Sequence, residues 1–142
     1  MAIRQISVFV ENQKGKLLET LNAIAAEGIN IRALSVADTN DFGILRLITS
    51  DTDKTVEALR KESIVNTTEV VAAKLEDRVG ALRDVIAVLT AADINIEYVY
   101  AFTASEEFGA YVVIRVDDTE KAQKALDDKH IPSLSEEDIK EL

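Results

Sequence analysis

The chain has 142 residues, no cysteine, a single histidine and a formal net charge of −10. Without cysteine there are no disulfides, thiolate metal sites, iron–sulfur clusters or thiol nucleophiles, and one histidine cannot supply a metal site or a triad in each half of the chain. A hydrophobic content of 47% supports a real core rather than disorder, while so acidic a surface repels phosphate backbones and makes nucleic acid a poor partner.

From the N-terminus, Ile6, Val8 and Val10 alternate with Ser7 and Glu11, which predicts a strand over residues 3–11. This stretch is interrupted by Arg4 and Glu11, so it reads neither as a signal peptide nor as a membrane span; a soluble cytoplasmic protein is expected. After Gly15, the residues Leu17, Leu18, Leu21, Ile24 and Ala25 recur at helical spacing, predicting a helix over 16–27 that Gly28 ends. Strands follow at Asn30–Ala37 and Gly43–Thr49, around the turn Thr39–Asp41. Ser50–Asp53 offers caps for a second helix carrying Val56 and Leu59 inward, and Ile64–Val70 is the next strand.

The order then repeats. Val70–Glu76 is strand-like, and Leu82, Val85, Ile86 and Leu89 form the inward stripe of a helix opened by Gly80. Strands at Ile94–Phe102 and Gly109–Val116 flank the turn Ser105–Glu107. Gly15 pairs with Gly80 and Asn30 with Asn95, both 65 residues apart, and Ser50–Ile64 matches Asp117–Ile131 at an offset of 67. The chain is thus one module written twice, with domains at 1–69 and 70–142 joined without a Pro/Gly/Ser linker. Ser135 and Asp138 cap a short terminal helix. The pattern predicts an α+β fold: two ferredoxin-like βαββαβ sandwiches packed side by side as a fixed pair. The acid load is uneven, with formal charges of −2 over residues 1–70 and −8 over 71–142.

Asn12–Leu17 followed by Glu27–Ile31, and Asp77–Leu82 followed by Ala92–Ile96, resemble ACT domains, small regulatory modules that bind amino acids. With Ala33–Asp38 and Tyr98–Phe102 in the second strands, the order of the copies resembles stand-alone tandem-ACT proteins over essentially the full length. The resemblance implies a ligand at the interface between paired domains or protomers, touched by the glycine loop and the start of the second strand. Carried over by position, the ligand-binding residues are Asn12, Gly15, Leu17, Asn30 and Ile31, and in the second copy Asp77, Gly80, Leu82, Asn95 and Ile96. The chain departs from the family pattern at Lys14 and Val79, where proline is usual, and at Asp93, where glycine is usual.

The chemistry fits an amino acid. A helix start offers unpaired N–H groups and partial positive charge to a carboxylate, and a glycine lets it approach. The amides of Asn30 and Asn95 and strand carbonyls can accept from the ammonium, and Asp77 adds a charge that Asn12 lacks. Each residue also has a plainer role: the glycines as turns, the asparagines as local backbone partners, Leu17 and Leu82 as core, and His130 as a partner of a helix C-terminus. Arg78-Val-Gly80 with Arg83 loosely resembles an acylphosphatase loop, but the first copy has no arginine there. An RRM-like role would need more exposed aromatics than Phe42, Phe108 and Tyr111, and a basic surface. The expectation is a non-catalytic amino-acid-binding regulator without cofactor or metal, forming a homodimer and serving a metabolic enzyme or regulator. The alternative is a ligand-free interaction or regulatory subunit.

Overall fold

The computed structural model describes residues 2–38, 41–102 and 109–142. The predicted turns at Thr39–Asp41 and Ser105–Glu107 therefore lie partly or wholly outside the described residues. The chain divides into two compact units, Arg4–Thr68 and residues 1–3 with Glu69–Leu142, here the N-terminal and C-terminal units.

The N-terminal unit runs β1 (Ile3–Glu11), α1 (Lys16–Ala26), β2 (Ile31–Asp38), β3 (Phe42–Thr49) and α2 (Thr52–Arg60), then enters β4 (Val65–Leu75). Its strands lie in the order β2-β3-β1-β4. β1 and β3 are antiparallel, with Val8 opposite Leu45 and Ile6 opposite Leu47. These four side chains share one face, and the period of two in β1 brings them into a core with Ile24 and Leu59 from the helices. α2 begins at Asp51, whose carboxylate accepts from the Lys54 N–H at 3.0 Å. The lone predicted strand Ile64–Val70 and the following Val70–Glu76 are one continuous β4, whose first residues serve the N-terminal unit and whose remainder opens the C-terminal one. A run without glycine or proline gives the chain no reason to turn there.

The C-terminal unit continues with α3 (Ala81–Ala91), β5 (Ile96–Ala101), β6 (Ala110–Val116), α4 (Thr119–Asp128) and α5 (Glu136–Glu141). Its order is β4-β6-β5. Ala73 lies opposite Val112 and Val71 opposite Ile114. The fourth strand of the repeat shrinks to one bridge between Ala73 and Ser133, flanked by the Lys74 N–H donating to the Pro132 carbonyl at 2.9 Å and the Leu134 N–H to that of Ala72 at 3.0 Å. Pro132 has no N–H to donate, which limits any ladder through it. Both units therefore carry the α+β, ferredoxin-like pattern, the second with a vestigial last strand.

The helix stripes differ from expectation at one turn. In α3 the buried residues are Ala81, Val85 and Leu89, whereas Leu82 is 41% exposed. In α1 they are Thr20 and Ile24, and Leu17 is likewise 41% exposed. The inward face is set one residue away from the leucines that open each helix, so Leu17 and Leu82 are not core. At the C-terminus, Ser135 Oγ accepts from the Asp138 N–H at 3.2 Å and the Asp138 carboxylate accepts from the Ser135 N–H at 2.8 Å, a complete capping box. That helix buries Ile139 and brings the Asp138 charge towards Tyr111.

Leu89→Ala removes a fully buried side chain of the C-terminal core. It is expected to cost about 2–5 kcal/mol, read by urea denaturation. Burial, and then the Asp138 carboxylate, push the Tyr111 phenol above its ordinary value. The folded state thus favours the neutral phenol. Its contribution is present below the unfolded tyrosine pKa and is lost as pH rises through the folded one. Tyr111→Phe should therefore lose less melting temperature than the parent between about pH 8 and about pH 11. Equal losses in both proteins would remove this account of Tyr111.

Candidate functional site

Both first helices are opened in the same way. Gly15 and Gly80 are N-caps in left-handed backbone, at φ 86° and 83°, and neither helix start receives a side-chain cap. The surrounding turn repeats bond for bond. The N–H groups of Gln13 and Arg78 donate to the carbonyls of Glu11 and Glu76 at 2.8 and 2.9 Å, and those of Glu19 and Asp84 to Gly15 and Gly80, both at 3.0 Å. Both turns keep the same geometry with lysine at 14 and valine at 79. A β-carbon added at either glycine would meet nothing within 4 Å. The space in front of each turn is therefore open, while the N–H groups of Lys16 and Ala81 donate back into the turn, to the Gln13 and Arg78 carbonyls at 3.2 and 3.3 Å.

The asparagines stand elsewhere. α1 and α3 have 11 residues each, so about 16 Å of helix separates Gly15 from Asn30, and Gly80 from Asn95, within one unit. The sequence expectation that loop and amide lie near each other does not hold inside a unit. A helix of three turns carries its two ends apart. Asn30 and Asn95 instead join the helix exit to the end of the third strand. The Asn30 N–H donates to Ser50 Oγ at 3.0 Å and the Ser50 N–H to the Asn30 carbonyl at 2.9 Å. The Asn95 N–H donates to the Asp117 carboxylate at 3.1 Å and the Asp117 N–H to the Asn95 carbonyl at 3.2 Å. In these bonds the asparagines use only their own backbone groups, and both residues are exposed. Where glycine is usual after the first helix of the second copy, α3, stands Asp93, which takes the left-handed conformation at φ 60° all the same. Ile31 and Ile96 are half-buried and pack against their cores, so at most an edge of each is free.

Two of the expected residues do meet. Beside the Gly15 turn a hollow of about 140 Å³ is lined by Asn12 and Leu17 together with Glu11, Val36, Asp38 and Leu45. Leu17, Val36 and Leu45 give it apolar walls, while Glu11, Asp38 and the Asn12 amide stand at its polar side. Glu11 and Asp38 escape a motif search because they are the last residues of β1 and β2, and only strand pairing brings those ends together. In the C-terminal unit Asp77, Gly80 and Leu82 are exposed around the corresponding turn. Among the described residues no cluster of three or more acidic or histidine side chains is placed to hold a metal, and no helix is long and apolar enough to cross a membrane.

The family model described as an ACT domain pair matches residues 1–142, so the chain belongs to that family. The structure is similar to that of protein BT0572 from Bacteroides thetaiotaomicron, at 38% identity over 100% of this chain and 98% of the other, with a TM-score of 0.91. It shares its fold with the regulatory subunit of aspartate kinase from Thermus thermophilus, at 16% identity over 89% and 90% of the two chains and a TM-score of 0.64. The regulatory subunit from Thermus flavus is similar at 16% identity over 89% and 92%, with a TM-score of 0.59. No curated protein matches the sequence.

Since the φ values of Gly15 and Gly80 suit glycine and the space ahead of them is open, Gly15→Ala and Gly80→Ala should each destabilise by only about 1–2 kcal/mol through backbone strain. Thermal melts check this, and a loss several times larger would show that the turns are packed rather than open.

Proposed function

From membership of the ACT family, we propose that the chain is a non-catalytic sensor of a free amino acid, bound at the glycine-opened helix start. The observation that carries this reading is the hollow beside Gly15, whose chemistry complements a zwitterion. The positive potential of the helix start suits the carboxylate. Glu11, Asp38 and the Asn12 amide supply acceptors for the ammonium, and Leu17, Val36 and Leu45 receive a side chain. In the C-terminal unit, Asp77, Gly80 and Leu82 are the equivalent positions, with a carboxylate in place of the Asn12 amide. The two sites should therefore differ in affinity.

A second copy of the chain would complete the wall. β2 and β5 each end a strand order, and both carry uncovered apolar side chains next to the exposed helix leucines. These are Leu34 and Val36 on β2, of which Val36 lines the same hollow as Leu17, and Val99 on β5. Leu34 and Val99 are equivalent at the 65-residue offset. An amide from Asn30 or Asn95 can then reach a ligand only from another domain. Binding at such a seam favours the associated state, which a separate metabolic enzyme or regulator can read as a population shift.

A thermal-shift screen of the purified chain against the twenty amino acids is expected to show stabilisation by one or a few, about 2.7 kcal/mol at a hundredfold excess over Kd. Asp38→Asn should weaken that response. Silence from all twenty would favour the ligand-free docking role instead. The Asn30→Ala, Asn95→Ala double variant should keep the fold and lose affinity, and unchanged affinity would remove the amides from the site. Val36→Lys with Val99→Lys should lower the sedimentation mass if the apolar rows face a second copy.

A further inference from the structure

The hollow beside Gly15 has a far end, and a carboxylate stands there. Asp38 on β2 lies directly opposite Gly43 on β3, and Gly43 directly opposite Val10 on β1. Two strand spacings, roughly 10 Å, therefore separate Asp38 from the end of β1. Side chains alternate along a strand, so Val36 and Asp38 share a face. Val36 lies opposite Leu45, and Leu45 opposite Val8, both of them in the core that includes Ile24 of α1. Asp38 is thus on the helix side of the sheet, the side on which Leu17 of α1 lines the hollow.

Between Asp38 and Val10 the floor is bare. Gly43 is buried and its φ lies outside the left-handed range, so the backbone does not require glycine there. What glycine contributes is the missing side chain, a common mark of a close approach by a ligand. Leu17, Val36 and Leu45 wall the passage with apolar surface, and no lysine or arginine lines it. Among the described residues Asp38 takes part in no ion pair. The second copy lacks both features. Where Val10 faces Gly43, Leu75 faces Ala110. Where Val36 faces Leu45, Ala101 faces Val112, and two residues further on the sequence has the uncharged Thr103 in the place of Asp38.

An amino acid with its carboxylate at the glycine-opened helix start keeps its α-ammonium within two bonds of that carboxylate carbon. The α-ammonium then stays at the end of β1 and does not reach a group two strands away. A neutral apolar side chain would fill the passage and leave the Asp38 charge against hydrocarbon, which costs free energy on binding. A side chain ending in a cation lays its stem along the same walls and brings its head to the carboxylate. Resting on the sensor reading above, we propose that the ligand of the N-terminal unit is a dibasic amino acid, of the class of lysine, ornithine and arginine, with its stem over Gly43 and its side-chain cation held by Asp38.

L-lysine, L-ornithine and L-arginine are titrated calorimetrically into the full chain beside L-norleucine, which has the stem of lysine without its ammonium. At least one of the three is expected to bind, and L-norleucine roughly fivefold more weakly or worse. Asp38→Asn, at an exposed position, should remove that difference. The proposal is overturned if L-norleucine binds as tightly as the best of the three, or if Asp38→Asn keeps the preference. No heat from the three, with a neutral or acidic amino acid bound instead, overturns the dibasic class and leaves the sensor reading standing. Silence from all twenty amino acids removes both.

Discussion

The left-handed glycine at 15 and again at 80 is the constraint on which the rest of the structure depends. Each turns the chain from the end of a strand directly into a helix, and each does so without a capping side chain. The contrast lies within the same units. α2 and α4 begin at Asp51 and Asp118, whose carboxylates accept from Lys54 and Lys121, both at 3.0 Å. A capping side chain is commonly worth about 1 kcal/mol over alanine, and the first helix of each repeat goes without it. The helix left uncapped keeps positive potential at its start, and it does so twice at the same place.

The elements were legible wherever one residue type dictates local geometry. The alternation of Ile6, Val8 and Val10, the aspartates and serine at the caps, and the two loop glycines each act within a few residues, so sequence alone locates them. The duplication multiplied that signal. The glycine- and proline-free run through Val70 also marked the strand that continues from one copy into the next. Two features were not legible. The loss of the last strand depends on where Pro132 falls against β4. The rotation of α1 and α3 that leaves Leu17 and Leu82 exposed is decided by which face the sheet presents. Leucines at helical spacing cannot report it, because Ala81 and Thr20 fill the inward positions instead.

The site was legible in the same partial way. Asn12, Gly15 and Leu17 are close in sequence and remain so in space. Asn30 follows them by a whole helix and is carried to the opposite end of its unit. Glu11 and Asp38 are distant in sequence and meet only because β1 and β2 both pair with β3. The repeat also conceals divergence. The glycine turns are copied with hydrogen bonds agreeing to about a tenth of an ångström, while a side chain at an equivalent position has changed sign from Glu62 to Lys129. Fold is conserved between the copies by backbone geometry, and chemistry is free to differ because it rides on exposed side chains.

Size then links the proposed binding to association. A small-molecule site typically encloses most of its ligand in roughly 300–1,000 Å³. The hollow beside Gly15 offers about 140 Å³, and β2, which helps to line it, ends the strand order. An amino acid seated there would leave much of its surface in water, with the apolar row of Leu17, Leu34 and Val36 along the rim. A second surface laid on that row removes water from the row and the ligand together. Neither event is favourable to its full extent without the other, so each must raise the affinity of the other by the same factor. A chain built in this way needs no catalytic group to regulate. On the proposed reading, the free energy released when an amino acid bridges two surfaces would itself be the signal, its magnitude set by how much of the ligand one surface alone fails to cover.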